Sequence, residues 1–158
     1  MVKKTELACF GMGCFWGPQM IFDKTEGVVK TEAGFMGGKE SYKKLSYARV
    51  CLGFTGHAEV VRVYYDSSKV TYDKLLEIFW KGHDPTQLNR QGFDLGKQYR
   101  SVIFCYDEGQ RKKAEASLKK AQKKFARKIV TQIVKSGKFY KAEEYHQKYL
   151  KKRGRNTC

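Results

Sequence analysis

The sequence predicts an α+β fold, an α/β two-layer sandwich with helices packed against one sheet. Three observations carry this prediction. Apolar runs with strand character alternate with segments of helical periodicity along much of the chain. Strand, helix and strand follow one another twice, so the first two helices read as crossovers of β-α-β units. The 158 residues contain two prolines and no Pro-, Gly- or Ser-rich linker, repeat or low-complexity tract, as fits one domain over 1–158.

Residues 6–11 form a short apolar run and read as a strand. Pro18 favours the first turn of a helix, so a helix should start beside Cys14 and stop by Gly27. A second strand spans 28–35. Residues 36–56 are rich in Gly, Ser and Tyr and read as a long loop, a length often tied to function. A Val- and Tyr-rich strand covers 58–65. Thr71 can cap a helix through Lys81 whose apolar face carries Tyr72, Leu75, Leu76, Phe79 and Trp80. After an irregular stretch at 82–97 come a strand at 101–106 and a long basic helix at 108–127. A last strand at 129–134 and a helix at 142–152, ended by Gly154, complete the series. A basic tail at about 153–158 is expected to be mobile.

Apolar residues make up 41%, enough for a core, and no apolar run is long enough to span a bilayer. The N-terminus lacks the pattern of a signal peptide, so the cytoplasm, where thiols stay reduced, is the expected compartment. Five cysteines without a Cys-x-x-Cys pair argue against a disulfide framework and against zinc. The net charge of +16 invites a nucleic-acid reading. The basic pairs from Arg111 to Lys128 recur at helical spacing, however, which is the pattern of a solvated helix face.

Cys14 sits between a strand and a helix, flanked by Gly13 and Gly17. A helix N-terminus offers partial positive charge and N–H donors, which favour a nucleophilic thiolate. Phe15 and Trp16 could wall an apolar pocket beside the sulfur. The same residues also suit a small buried cysteine next to core aromatics. Glu59 shares a strand face with Val61, Val63 and Tyr65, where desolvation would raise its pKa and make it a general acid. Alternatively, the other face is buried, or Arg62 pairs with Glu59. Tyr47, Tyr99 and Tyr149 can donate hydrogen bonds without charge, or serve only in packing. Cys158, on the basic tail, suits a resolving thiol or a spectator. Cys9, Cys51 and Cys105 read as small buried hydrophobes.

Gly13-Cys14-Phe15-Trp16-Gly17 resembles a signature of the peptide-methionine (S)-S-oxide reductase family, methionine sulfoxide reductase A. Three more segments follow in the family's order. They are Tyr47-x-x-Val50-Cys51 with Thr55-Gly56-His57-Ala58-Glu59; His83-Asp84-Pro85-Thr86 with Asp94 and Gln98-Tyr99-Arg100-Ser101; and Phe139-Tyr140 with Ala142-Glu143-Glu144-Tyr145-His146-Gln147 and Tyr149-Leu150. Several ordered signatures are more specific than one motif.

The resemblance implies a ferredoxin-like split β-α-β core with long active-site loops and a C-terminal helix and tail. It implies Cys14 as nucleophile, Glu59 as the acid that protonates the sulfoxide oxygen, and Tyr47 and Tyr99 as its hydrogen-bonding partners. Phe15 and Trp16 are similar to residues that hold the substrate's S-methyl group, and Asp94 and Tyr149 to further site residues. Cys158 falls where a resolving cysteine lies. No bound cofactor or metal is implied. An external dithiol, thioredoxin or dithiothreitol in vitro, would recycle the enzyme. The substrate would be methionine S-sulfoxide, free or in oxidised proteins, and the protein a monomer without membrane or specific nucleic-acid partners. Pro18, Gln19 and Phe93 depart from the commonest family residues, glutamate being usual at Gln19 and asparagine at Phe93. A Cys–His hydrolase using His57, His83 or His146 is the rival enzyme class, and a basic nucleic-acid-binding module the rival of another kind.

Overall fold

The computed structural model describes residues 5–154, so Cys158 and its neighbours lie outside the described residues. The described residues open with β1 (Thr5–Met12), α1 (Trp16–Asp23) and β2 (Val28–Met36), followed by a five-residue helix, α2 (Tyr47–Cys51). Then come β3 (Ala58–Asp66), α3 (Tyr72–Lys81) and a two-residue hairpin, β4 (Arg90–Gln91) with β5 (Asp94–Leu95). Next are β6 (Ser101–Cys105), α4 (Glu108–Gln122), β7 (Gln132–Lys135), β8 (Tyr140–Lys141) and α5 (Tyr149–Lys152).

The main sheet runs β7-β6-β1-β3-β2-β8. β3 lies antiparallel between β1 and β2, and β1 lies antiparallel between β3 and β6. Each strand pair joined through α1 or α3 is therefore parallel, with one strand inserted between its members. This is the ferredoxin-like split β-α-β arrangement. Residue alternation along β3 explains the layers. Val61, Val63 and Tyr65 belong to the larger core with Phe22 of α1, Leu75 and Phe79 of α3 and Ala114 of α4. Val60 points the other way, into a smaller cluster with Cys9, Met36, Val102 and Phe104.

Several boundaries differ from the sequence expectation, each for a local reason. The long loop contains α2 because Ser46 caps it, accepting from the Arg49 N–H at 3.2 Å. The basic helix stops at Gln122, whose own side chain takes over the chain's exit. Its amide donates to the Arg127 carbonyl at 2.9 Å and accepts from the Ile129 N–H at 2.8 Å. The last expected strand begins at Gln132 rather than 129, since Val130 N–H is bound to the Pro85 carbonyl. It is also not last, because β8 pairs with β2 at the opposite edge.

The largest correction concerns 142–152. In place of one helix there is a 3-10 turn, Glu144–His146, and the four-residue α5. The buried Gln147 side chain bonds both the N–H and the carbonyl of Ala33, and the Ala142 carbonyl as well. Those bonds fasten the segment to β2 and interrupt the helix. Lys148 follows with φ of 55°, held in this costly left-handed conformation by Gln19, which accepts its N–H at 2.7 Å. No helix among the described residues is long and apolar enough to cross a membrane.

Candidate active site

Cys14 lies in the turn between β1 and α1, one residue before the N-cap Phe15. Gly13 makes that turn possible with φ of +89°. A Cβ there would sit 2.7 Å from Gln91, which packs against it from the β4–β5 hairpin. Gln91 is itself clamped, accepting from the Asp84 N–H at 3.0 Å and donating to the Asp84 carbonyl at 2.8 Å. The hairpin is thus fixed beside the cysteine turn. Cys14 as a residue is half-buried.

Glu59 stands at the start of β3, directly opposite Phe35 of β2, and is fully buried. Its Oε1 accepts the N–H of Phe15 at 3.2 Å, the peptide group that joins Phe15 to Cys14. That bond satisfies a donor at the helix entrance and ties the carboxyl to the cysteine turn. Its Oε2 is buried and has no hydrogen-bond partner among the described residues. Burial is the main cause that pushes the Glu59 pKa up to about 8, and the Asp94 charge adds to it. The Phe15 N–H and the nearby Tyr99 hydroxyl pull it partly back. The carboxyl is therefore largely protonated at neutral pH. Arg62, the cation considered from sequence, points to the other face and pairs with Glu32 at 2.7 Å.

Tyr47 from α2 and Tyr99 from the turn before β6 bring their hydroxyls to 3.3 Å of each other. Burial, followed by this contact, raises the Tyr47 pKa far above the ordinary phenol value; Tyr99 is pushed up to about 12, chiefly by burial. Both stay neutral and can donate. Phe15 is buried between Phe35 and Tyr47, with ring centroids at 5.6 and 6.2 Å. Trp16 stacks on Tyr149 at 3.7 Å and 8°. Asp94 is exposed and reaches Glu59 through its charge.

The model of the peptide methionine sulfoxide reductase family matches residues 6–158. The chain belongs to that family. A peptide methionine sulfoxide reductase MsrA from Methanococcus maripaludis is 54% identical over 99% of this chain and 98% of its own. Among solved structures, Mxr1 from Saccharomyces cerevisiae in reduced form superposes with a TM-score of 0.93 at 37% identity, covering 98% of this chain and 89% of the yeast one. Methionine sulfoxide reductase A of Corynebacterium diphtheriae gives 0.90 at 38% identity, with 98% and 77% covered.

In this reductase, Phe15, Tyr47, Glu59 and Tyr99 are brought together around the cysteine turn, with Trp16 and Tyr149 beside them. Cys158 falls outside the described residues. Cys51 is a correction: Cys9 and Cys105 are buried as expected, but Cys51 is exposed. It ends the short α2, which turns only Val50 fully inward. Phe93, one of the departures, is fully exposed at the hairpin tip.

The histidines do not form a hydrolase pair. His57 accepts the Gly38 N–H at 3.1 Å through Nδ1 and bonds the Lys39 carbonyl through Nε2. His83 bonds the Phe79 carbonyl and the Ser101 hydroxyl, and burial pushes its pKa down to about 4. His146 accepts the Trp16 indole N–H at 3.0 Å on Nδ1, so its neutral ring carries the proton on Nε2 and offers no basic nitrogen. Its ring packs on Tyr47 at 4.6 Å and on Phe15 at 5.4 Å. The sequence offers His146 only as a hydrolase base, and neither its bond to Trp16 nor the Gln19–Gln147 pair, joined at 3.3 Å, is foreseen from it. The signal was present in buried polar residues next to Tyr149, but their partners lie more than a hundred residues away in sequence.

Proposed function

We propose that this oxidoreductase reduces methionine S-sulfoxide with Cys14 as nucleophile and Glu59 as acid. The observation that carries the reading is the buried Glu59, fastened by one oxygen to the Cys14–Phe15 peptide group and presenting a second oxygen without a partner. A protonated carboxyl at that position suits delivery of a proton to a sulfoxide oxygen, which makes its sulfur electrophilic. Tyr47 and Tyr99 would steady the oxygen, and Phe15 and Trp16 would hold the methyl group.

The Cys14 sulfur attacks the sulfoxide sulfur, oxygen passes to Cys14, and methionine leaves, so that the thiol is oxidised to sulfenic acid as the sulfoxide is reduced. The Cys158 thiol then displaces water from the sulfenic acid and forms a Cys14–Cys158 disulfide. An external dithiol, thioredoxin in the cell or dithiothreitol in an assay, returns both thiols and is itself oxidised. Free and protein-bound methionine sulfoxide both fit this chemistry.

The test is to give the protein a racemic methionine sulfoxide derivative with dithiothreitol and to separate the epimers afterwards. Loss of the S epimer alone, absent in Cys14→Ser, is expected. Survival of both epimers would refute the reading. Cys158→Ser should retain its first turnover and lose thioredoxin-driven cycling.

A further inference from the structure

A concave surface whose lining includes neither Cys14 nor Glu59 adjoins Trp16. It is a groove of about 290 Å³ between α1 and α5. Its walls are Trp16, Met20 and Leu150, the first two one helical turn apart on α1. Its rim is basic: Lys24, Lys148 and Lys151 line it against a single acid, Asp23. Lys148 lies 3.8 Å from that aspartate, whereas Lys24 and Lys151 make no ion pair among the described residues. An apolar floor under two uncompensated ammonium groups is complementary to a peptide bearing an apolar side chain and a carboxylate.

The groove starts at Trp16, two residues from the nucleophile. A polypeptide whose oxidised methionine sits at Cys14 would carry its neighbouring residues past this surface, at about 3.3 Å per extended residue. We propose that the α1–α5 groove binds residues flanking the methionine sulfoxide in polypeptide substrates, and favours an apolar residue followed by an acidic one. The proposal rests on the sulfoxide reductase reading and adds a substrate preference that free methionine sulfoxide cannot express.

The experiment compares kcat/KM for free methionine S-sulfoxide and for three peptides at low ionic strength. The peptides are identical except that leucine beside the methionine S-sulfoxide is followed by glutamate, glutamine or lysine. The wild type should prefer the glutamate over the lysine peptide by about fivefold, the scale of two exposed charge pairs. Lys24→Glu combined with Lys151→Glu should invert the order, and the corresponding double methionine variant should level it. All three proteins should reduce free methionine sulfoxide at one rate. Equal kcat/KM for the three peptides in the wild type would overturn the assignment, leaving the groove to another occupant such as a second copy of the chain. An unchanged order in the charge-reversed variant would also overturn it. Failure to reduce even free methionine sulfoxide would instead remove the parent reading, and the groove's role with it.

Discussion

A carboxyl surrounded by Phe15, Phe35 and the backbone of two strands ionises only at the cost of an uncompensated buried charge. For Glu59 this has two consequences at the residue scale. The first concerns rate. With its pKa near 8, Glu59 holds its proton at neutral pH and gives it up as the pH rises through that value. The single-turnover rate of sulfoxide reduction should therefore decline above about pH 8. Glu59→Gln should lower the rate by about a hundredfold, the usual worth of a general acid, and erase that limb of the profile. Rapid quenching across pH 6 to 10 measures both, and an unchanged limb in the variant would assign it to another group. The second consequence concerns stability. Between the ordinary carboxyl value of 4.5 and about 8, the folded chain keeps a proton that the unfolded chain releases. This group's contribution thus falls as pH rises across that window. Relative to wild type, Glu59→Gln should gain stability steadily from pH 5 to 8, as read by urea denaturation. A constant difference would show that burial does not hold the proton.

At the scale of elements, the site depends on a C-terminal segment with little regular structure of its own. Gln147 is its fastening: three bonds to Ala33 and Ala142, and a fourth to Gln19. Gln147→Leu keeps the volume but takes the side-chain partner from the Ala33 N–H and the Ala142 carbonyl, while the Ala33 carbonyl keeps the Ala142 N–H at 2.9 Å; the loss should be about 2 kcal/mol or more. Because His146 and Tyr149 sit on either side, the Trp16 indole should lose its support, raising KM for sulfoxide more than it lowers kcat. Denaturation and steady-state kinetics on one preparation test this; lost stability with unchanged KM would separate the fastening from the site. This segment also marks where sequence reading ends. The crossovers, Thr71 as cap of α3 and the buried face of β3 follow from periodicity and turn chemistry, which are local. The cysteine turn and Glu59 could be nominated from local pattern, though not paired. The break at 147–148 and the indole's histidine arise from partners on α1 and β2, so propensity read along 142–152 gives a helix that tertiary bonds forbid.

The scale of the whole molecule is set by its net charge of +16. On α4 and just beyond, Arg111, Lys112, Lys113, Lys119, Lys120, Lys123, Lys124, Arg127 and Lys128 are exposed, as expected of a solvated face. Glu108 and Glu115 pair with Arg111 along the same helix. Charge so arranged does little for the fold, since exposed pairs are weak, but it creates a field that acts on anything approaching. A macromolecular dithiol of net negative charge should meet the oxidised enzyme faster than its neutral counterpart, and only at low salt. A compact neutral reductant such as dithiothreitol feels almost none of this. The expected result is that kcat/KM for an acidic thioredoxin-class reductant falls by about tenfold between roughly 20 and 300 mM salt, as the screening length shortens. Turnover with dithiothreitol should stay within a factor of about two over the same range, where charge steering is absent. Neutralising Lys112, Lys113, Lys119 and Lys120 together tests whether α4 supplies the field. If that variant loses the salt dependence, encounter is steered from this helix; if it keeps it, the steering comes from the basic residues around the site, among them Lys148 and Lys151. Salt-independent turnover of the wild type with the acidic reductant would show that the charge serves no such encounter.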